Sequence, residues 1–396
     1  MTRPETALLG DRSSFPHLEA IAYCNHAAVS PPSQLVERAV QRVLSDYGRQ
    51  GLGAFFPWQA QRERLREACA RLLGAESGEI GFVPSTTRGI SDIALSLPWR
   101  AKERIVLFEG EFPTNVTPWQ CAARLFDLEI VWQRAEDFRG SSGLEQLTAV
   151  LASGVRLVAI SAVQFQSGLA MPLEEIGRLC RRHGAELFVD AIQALGVVPL
   201  DVRRCQIDYL SCGSHKWLMG MEGAGFVFVR SECARALVPR VAGWLSHEQA
   251  DAFLRLGPGH LRYDRPFKQS ARVFEGSAQN VLGFAALQAS LEPLLELGIA
   301  RIFEHVQAYH DELEAGLLGR GFISLRAANV ALRSGILSLK TPPGIDAIVF
   351  HQAMVGAGIA SALPDGVWRL SPHWPNSLTE VSAILERVDA ALAAQR

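Results

Sequence analysis

Lys216 stands in the segment CGSHKWLMG, between a histidine and a tryptophan and amid apolar, glycine-rich sequence. The chain has only four lysines (102, 216, 268 and 340) in a Lys plus Arg total of 39. A primary amine among apolar side chains gives up its proton more readily than one in water, and the neutral amine attacks carbonyl carbon. Asp190 ends the apolar run AELFVD, where a buried carboxylate requires a partner. Gln193 follows three residues on and can face the same cleft. Upstream, EIGFVP gives way to STTRGISDIALSL, where Ser85, Thr86 and Thr87 open an amphipathic helix. Free N–H groups and hydroxyls at a helix start hold a phosphate well. Each feature also has a plainer use: a hydroxyl caps a helix, an aspartate anchors a loop, a lysine snorkels to the surface.

Other chemistries lack a part. No lysine follows a glycine, so there is no Walker A loop. A G-x-S-x-G elbow and an HExxH pair are missing, and GMEGAG (220–225) precedes a strand where a dinucleotide site needs it to follow one. The seven cysteines are scattered without a CxxC pair, which indicates neither a disulfide framework nor a metal site. A phosphate cradle, an acid, an amide and a buried amine remain. That set fits pyridoxal 5'-phosphate.

The elements that must position these groups follow from periodicity. Seven short apolar runs (79–84, 104–108, 128–133, 155–161, 185–190, 207–211 and 225–230) read as strands, mostly buried on both faces. Helical patterns such as PLEEIGRLCRRHGAE lie between them, that one ending in a glycine stop. Strand and helix in alternation predict an α/β domain with a mostly parallel seven-stranded sheet, in which functional groups collect beyond the carboxyl ends of the strands. The rhythm breaks at LGPGHLRYDRP, and long helical patterns with shorter strands follow. The expected organisation is an N-terminal segment near the active site (1–30), a large α/β domain (31–265) and a smaller C-terminal α+β domain (266–396). A net charge of −2 gives no case for nucleic acid or an anionic membrane surface as partner. The N-terminus has no signal-peptide core and no apolar run is long enough to span a bilayer, so the expected setting is cytoplasmic.

The ordered set VPSTTRGI, GEFPTNVTPWQ, VDAIQALGVVPLDV, CGSHKWL and RVFEGSAQN resembles the class V aminotransferase superfamily. These are fold-type I pyridoxal-phosphate enzymes that include isopenicillin N epimerase-like proteins, cysteine desulfurases and related lyases. The likeness runs from YCNHAAVSPPS (23–33) to WRLSPHWPN (368–376). It implies that Lys216 is the Schiff-base partner and then the acid and base at the substrate's α-carbon. Asp190 would keep the pyridine nitrogen protonated, and Gln193 would meet the ring's phenolic oxygen. Thr86 and Thr87 would bind the phosphate, with His215 beside them. Phe112 falls where many relatives place a ring-stacking histidine. Ser277 would reach the phosphate from the second subunit of a homodimer, and Arg369 would receive the substrate carboxylate. His26 would border the substrate, as would Tyr23 and His373.

Departures from the family pattern narrow the activity. The usual phosphate-binding serine aligns with Gly213, leaving Ser214 as a substitute. Phe165 occupies the place of a common asparagine, between Gln164 and Gln166, either of which would have to compensate. Cysteine desulfurases carry a mobile cysteine shortly before the carboxylate-binding arginine, and VGAGIASALPDGVWRL has none. The expectation is an enzyme acting at the α-carbon of an amino acid or amine, with transamination as the outcome. The alternatives are α,β-elimination by a C–S lyase, epimerisation, or a superfamily member that has lost chemistry and serves as a binding protein.

Overall fold

All seven apolar runs enter one sheet in the computed structural model, which describes residues 7–395. After the short strand β1 (Ala22–Tyr23) they are β2 (Ile80–Val83), β3 (Arg104–Glu109), β4 (Glu129–Arg134), β5 (Leu157–Ser161), β6 (Glu186–Asp190), β7 (Tyr209–Gly213) and β8 (Gly225–Val229). The order is β2-β8-β7-β6-β5-β3-β4. Pairing is parallel from β7 to β4, and β8 runs antiparallel to both of its neighbours. Alternate residues feed two separate cores: Val158 and Ile160 enter one, Leu157 and Ala159 the other. That two-sided burial is why these strands are apolar throughout. β4 is the exception, for it lies at the sheet edge and leaves Glu129, Trp132 and Arg134 exposed.

Helices cover both faces. The one over Leu173–His183 stops at Gly184, which takes the left-handed conformation (φ 70°) that ends helices without a side-chain clash. Two apolar helices, Val281–Leu297 and Ile299–Leu318, meet at 80°. The first contributes Phe284, Leu287 and Leu291 to the core of the large sheet, and the second gives Leu313 and Leu317 to a further core. That further core surrounds the antiparallel sheet of β9 (Ile323–Ser324), β10 (Leu337–Lys340) and β12 (Trp368–Leu370), in the order β12-β10-β9. β11 (Ile359–Ala360) pairs in parallel with β1, which brings Ala22 and Cys24 into the same core. Among the described residues no single helix is long and apolar enough to cross a membrane, and no group of His, Cys, Asp or Glu is placed to hold a metal ion.

Candidate active site

The turn after β7 presents Lys216 and is tied down on several sides. Trp217, fully buried, donates its indole N–H to the Gln193 side-chain carbonyl (2.8 Å), and its backbone carbonyl accepts from His373 Nε2 (2.8 Å). His373 Nδ1 accepts the Trp374 N–H (2.7 Å), which fixes this ring as a neutral tautomer; burial takes its pKa down to about 4. Ser30 donates its hydroxyl to the Lys216 carbonyl (2.6 Å) and its N–H to the His215 carbonyl (2.8 Å). Among the described residues no carboxylate pairs with the amine; Nζ lies 5.6 Å from the centre of the Phe112 ring. Burial and, to a lesser degree, the nearby charge of Arg369 lower its pKa to about 8, against the pull of Asp190.

Asp190 closes β6, in register with Ser161 of β5 and Ser211 of β7. It is buried and takes a hydrogen bond from the Ile192 N–H (3.0 Å), and burial raises its pKa to about 6. Gln193 donates Nε2 to the Ala27 carbonyl (3.0 Å) while Oε1 accepts from Trp217. One amide hydrogen of Gln193 is left uncommitted.

Beyond β2, the helix Thr86–Ser96 is capped by Ser85, whose hydroxyl accepts the Arg88 N–H (3.1 Å). Thr86 Oγ1 accepts the Gly213 N–H at the end of β7 (2.8 Å), and Ser211 Oγ donates to the Thr86 carbonyl (3.0 Å). Gly89 permits this approach, since a Cβ there would stand 2.3 Å from Ser211 Oγ. At Gly213 a Cβ would meet Thr86 Oγ1 at 3.1 Å and His215 Nδ1 at 3.4 Å. The Thr86 hydroxyl therefore crowds any side chain placed at 213. Thr87 is exposed and shares a hydrogen bond with Thr114 (2.9 Å). His215 sits at this corner with its pKa lowered by burial and by Lys216.

Arg369, on β12, enters from the small sheet. Its Nη1 donates to the Phe165 carbonyl (2.8 Å), its Nε has no partner, and among the described residues no carboxylate pairs with it. It is only 5% exposed, and burial lowers its pKa to about 10. The Phe165 ring packs edge-to-face on Phe112 (5.3 Å between centres), so two aromatic rings, the amine and the guanidinium form one cluster.

The remaining candidate residues lie as follows. Ser214 is fully buried and donates its hydroxyl to the Met221 carbonyl, which closes the 214–221 turn and commits its only O–H donor away from a phosphate. His26 is buried as well; Nδ1 bonds Ser30 Oγ (2.7 Å) and the ring packs on His373 (5.3 Å), so it supports the Lys216 turn from behind. Gln166 bonds Asp365 (3.2 Å) on the loop before β12, whereas Gln164 is buried and donates to Glu111 (3.2 Å). Ser277 is exposed and shares a cavity of about 320 Å³ with Pro84, Arg88 and Asn280, beside the start of the Thr86–Ser96 helix. Glu111, beside Phe112 in GEFPTN, joins these residues as well; its one mark in the sequence is an acid just past the exit of a buried strand.

The structure tests the fit of a cofactor through its deficits. Asp190 and Arg369 are buried charges of opposite sign, each without an ionic partner among the described residues, and the Lys216 amine lies under the influence of both. A group with a cationic ring N–H, an aldehyde and a phosphate meets Asp190, Lys216 and the Thr86 helix start, so the residues fit pyridoxal phosphate. Fold and site together define a fold-type I pyridoxal-phosphate enzyme.

Comparison with known proteins narrows the class. The sequence profile of Aminotransferase class-V matches residues 23–361, and the chain belongs to that family. It is 26% identical to an uncharacterized aminotransferase, YcbU, of Bacillus subtilis over 391 residues, 96% of either chain. Isopenicillin N epimerase of Streptomyces clavuligerus is 26% identical over 84% of each chain. A probable cysteine desulfurase of Pyrococcus abyssi is 25% identical over 94% of this chain and 95% of that protein. Among solved structures, the cystine C–S lyase C-DES in complex with cysteine persulfide superposes with a TM-score of 0.83 at 23% identity, over 93% of this chain and 97% of that one. The cysteine desulfurase CsdA of Escherichia coli does so at 0.84 and 22%, over 97% and 98%.

Proposed function

We propose that the chain is a class V aminotransferase whose substrates are α-amino acids. The observation that carries this reading is Arg369, a sealed guanidinium without an anionic partner among the described residues, close enough to Lys216 to lower the amine's pKa. A planar fork of donors suits a carboxylate. An α-amino acid held there delivers its amino group and α-hydrogen toward Lys216. When bound, the cofactor supplies an aldehyde and an electron-withdrawing ring for charge developing at the α-carbon.

The chain's own residues do the rest. Asp190 would hold the ring nitrogen's proton, and Gln193 would offer its remaining amide hydrogen to the ring oxygen. Thr86, Thr87 and the first N–H groups of their helix would take the phosphate, with His215 at that corner. Phe112 would face the ring. Lys216, neutral above about pH 8, would be the base and acid that moves the substrate's α-proton. One base suffices for this transfer, and Phe112 provides no proton donor on a second face, which speaks against epimerisation.

The segment ahead of Arg369 carries no cysteine. Its residues are fixed by the β1–β11 pairing and by an Ala362–Arg369 bridge, an arrangement that supports a reading without a mobile catalytic thiol. We place Ser277 at the phosphate of a partner subunit in a homodimer; the exposed Leu52, Phe55, Phe56, Trp244 and Tyr263 offer apolar surface for such a contact. The large domain is read as 31–265 and the small one as 266–396. Seven free thiols agree with a reducing, cytoplasmic setting.

A panel of amino acids tests the reading. Transamination releases one 2-oxo acid per site in the absence of an acceptor, and the amino group stays with the protein until a second 2-oxo acid is added. Ammonia with pyruvate would instead mean elimination. A protein that binds pyridoxal phosphate but turns over no amine would leave only a binding role.

A further inference from the structure

Glu111 follows β3 and turns inward. Its carboxylate accepts the Ser161 N–H (2.7 Å), the Ser161 hydroxyl and the Gln164 amide (3.2 Å), all at or beyond the end of β5. It is 9% exposed, and among the described residues no arginine, lysine or histidine pairs with it. The charged group that bears on it is Asp190, across the ladder from Ser161, and Asp190 in turn feels the Lys216 amine; Glu109 lies at the exposed end of β3. Burial raises its pKa to about 7, with Ser161 opposing and Asp190 reinforcing that rise. A loop tie needs no charge, and a buried carboxyl without a cation costs stability.

Glu111 joins the walls of the cofactor site. The next residue is Phe112, whose ring lies 5.6 Å from Lys216 Nζ. Ser161 stands in register with Asp190. Gln164 precedes Phe165, which packs on Phe112 and gives its carbonyl to Arg369. We propose that Glu111 is a positioning residue for the cofactor: its carboxylate locks the ends of β3 and β5 so that Phe112, Asp190 and the Arg369-bound loop meet one bound ring, and its charge favours a cationic ring. The proposal rests on the pyridoxal-phosphate reading of the site, and Glu111 takes no part in bond making.

The test uses purified apoprotein and pyridoxal phosphate without substrate. Glu111→Gln keeps the reach and removes the charge; Glu111→Asp keeps the charge and shortens the reach. Affinity is read from tryptophan quenching, the acid–base midpoint from the visible absorption of the bound cofactor, and folding from the Tm of the apoprotein. Glu111→Asp should weaken binding about tenfold, the effect of one lost charge-assisted hydrogen bond. Glu111→Gln should also weaken it and should lower the spectral midpoint, because a lost anion disfavours the protonated form. Wild-type affinity and midpoint in both variants, or losses that merely follow Tm at an unchanged midpoint, would overturn the proposal. Should either variant fail to fold, Gln164→Leu removes one donor to Glu111 and should weaken binding severalfold; wild-type binding there also overturns it. A wild-type protein that binds no pyridoxal phosphate overturns the proposed function as well, whereas unchanged variants overturn only the role of Glu111.

Discussion

Arg66 and Arg369 are both sealed from water, and their surroundings differ in nearly every respect. Arg66, in the helix Phe55–Leu73, bonds the Ile80 carbonyl (2.7 Å), Glu275 through both Nη atoms and Glu63 through Nε and Nη2 (3.1 Å each). Its guanidinium also lies 4.5 Å from the centre of the Phe82 ring. These partners hold its pKa above the ordinary arginine value in spite of burial. Among the described residues Arg369 makes one hydrogen bond, to a neutral carbonyl, and burial takes its pKa down to about 10. A cation with its donors matched is a rivet of the fold, here joining β2 to the segment that presents Ser277. One left short of partners is held by the rest of the structure against its own preference, and an anion that arrives there recovers what folding left unmet.

The comparison is easiest to break at Arg66. Arg66→Met leaves Glu275 buried opposite an apolar side chain, so the protein should lose about 3–5 kcal/mol in urea unfolding, while KM for its amino donor stays as it was. A loss below about 1 kcal/mol would mean that the network is ornamental.

Arg369→Gln should do the reverse. Stability should stay within about 1 kcal/mol of wild type, because the substitution removes a buried charge that no partner compensates. kcat/KM for α-amino acids should fall roughly 100-fold, mainly through KM, as expected when one member of a desolvated ion pair is removed. Amines without a carboxylate should be affected little. Equal losses for both substrate types would show that Arg369 shapes the site without binding substrate.

These two arginines also mark what could be read from sequence. The large sheet was legible because its strands, buried on both faces, are apolar along most of their length; even β4, with Glu129 and Arg134 exposed, shows the apolar run Ile130–Trp132. Lys216, Asp190 and Thr86 were legible because parallel order forces successive strand exits to one edge of the sheet. Side-chain direction was not. Nothing local says that Ser214 turns its hydroxyl to Met221, that Glu111 folds under Ser161, or that Gln193 gives its carbonyl to Trp217. Those outcomes depend on partners far along the chain, as when Ser30 bonds the carbonyl of Lys216. Likewise, family resemblance marks Arg369 in WRLSPHWPN and passes over Arg66, but the physical ground for the distinction is the three-dimensional count of partners.

The smallest effect reads that count through Lys216. Capture of pyridoxal phosphate by the apoprotein requires the neutral amine, so its rate should rise with pH and level off above about pH 8. Arg369 is a like charge that helps keep this pKa low. Its removal in Arg369→Gln favours the ammonium, and the midpoint should move to higher pH by roughly half a unit. Arg66 does not contribute to the shift at Lys216, so Arg66→Met should leave the curve where it is. Stability supplies the matching sign. The folded pKa of about 8 lies below the ordinary 10.5, so between these values the unfolded chain binds more protons and the apoprotein gains stability as pH rises. In Arg369→Gln the gap narrows and this gain should shrink. A midpoint that falls, or that moves equally in both variants, would mean that the unpaired guanidinium is not felt at the reacting amine.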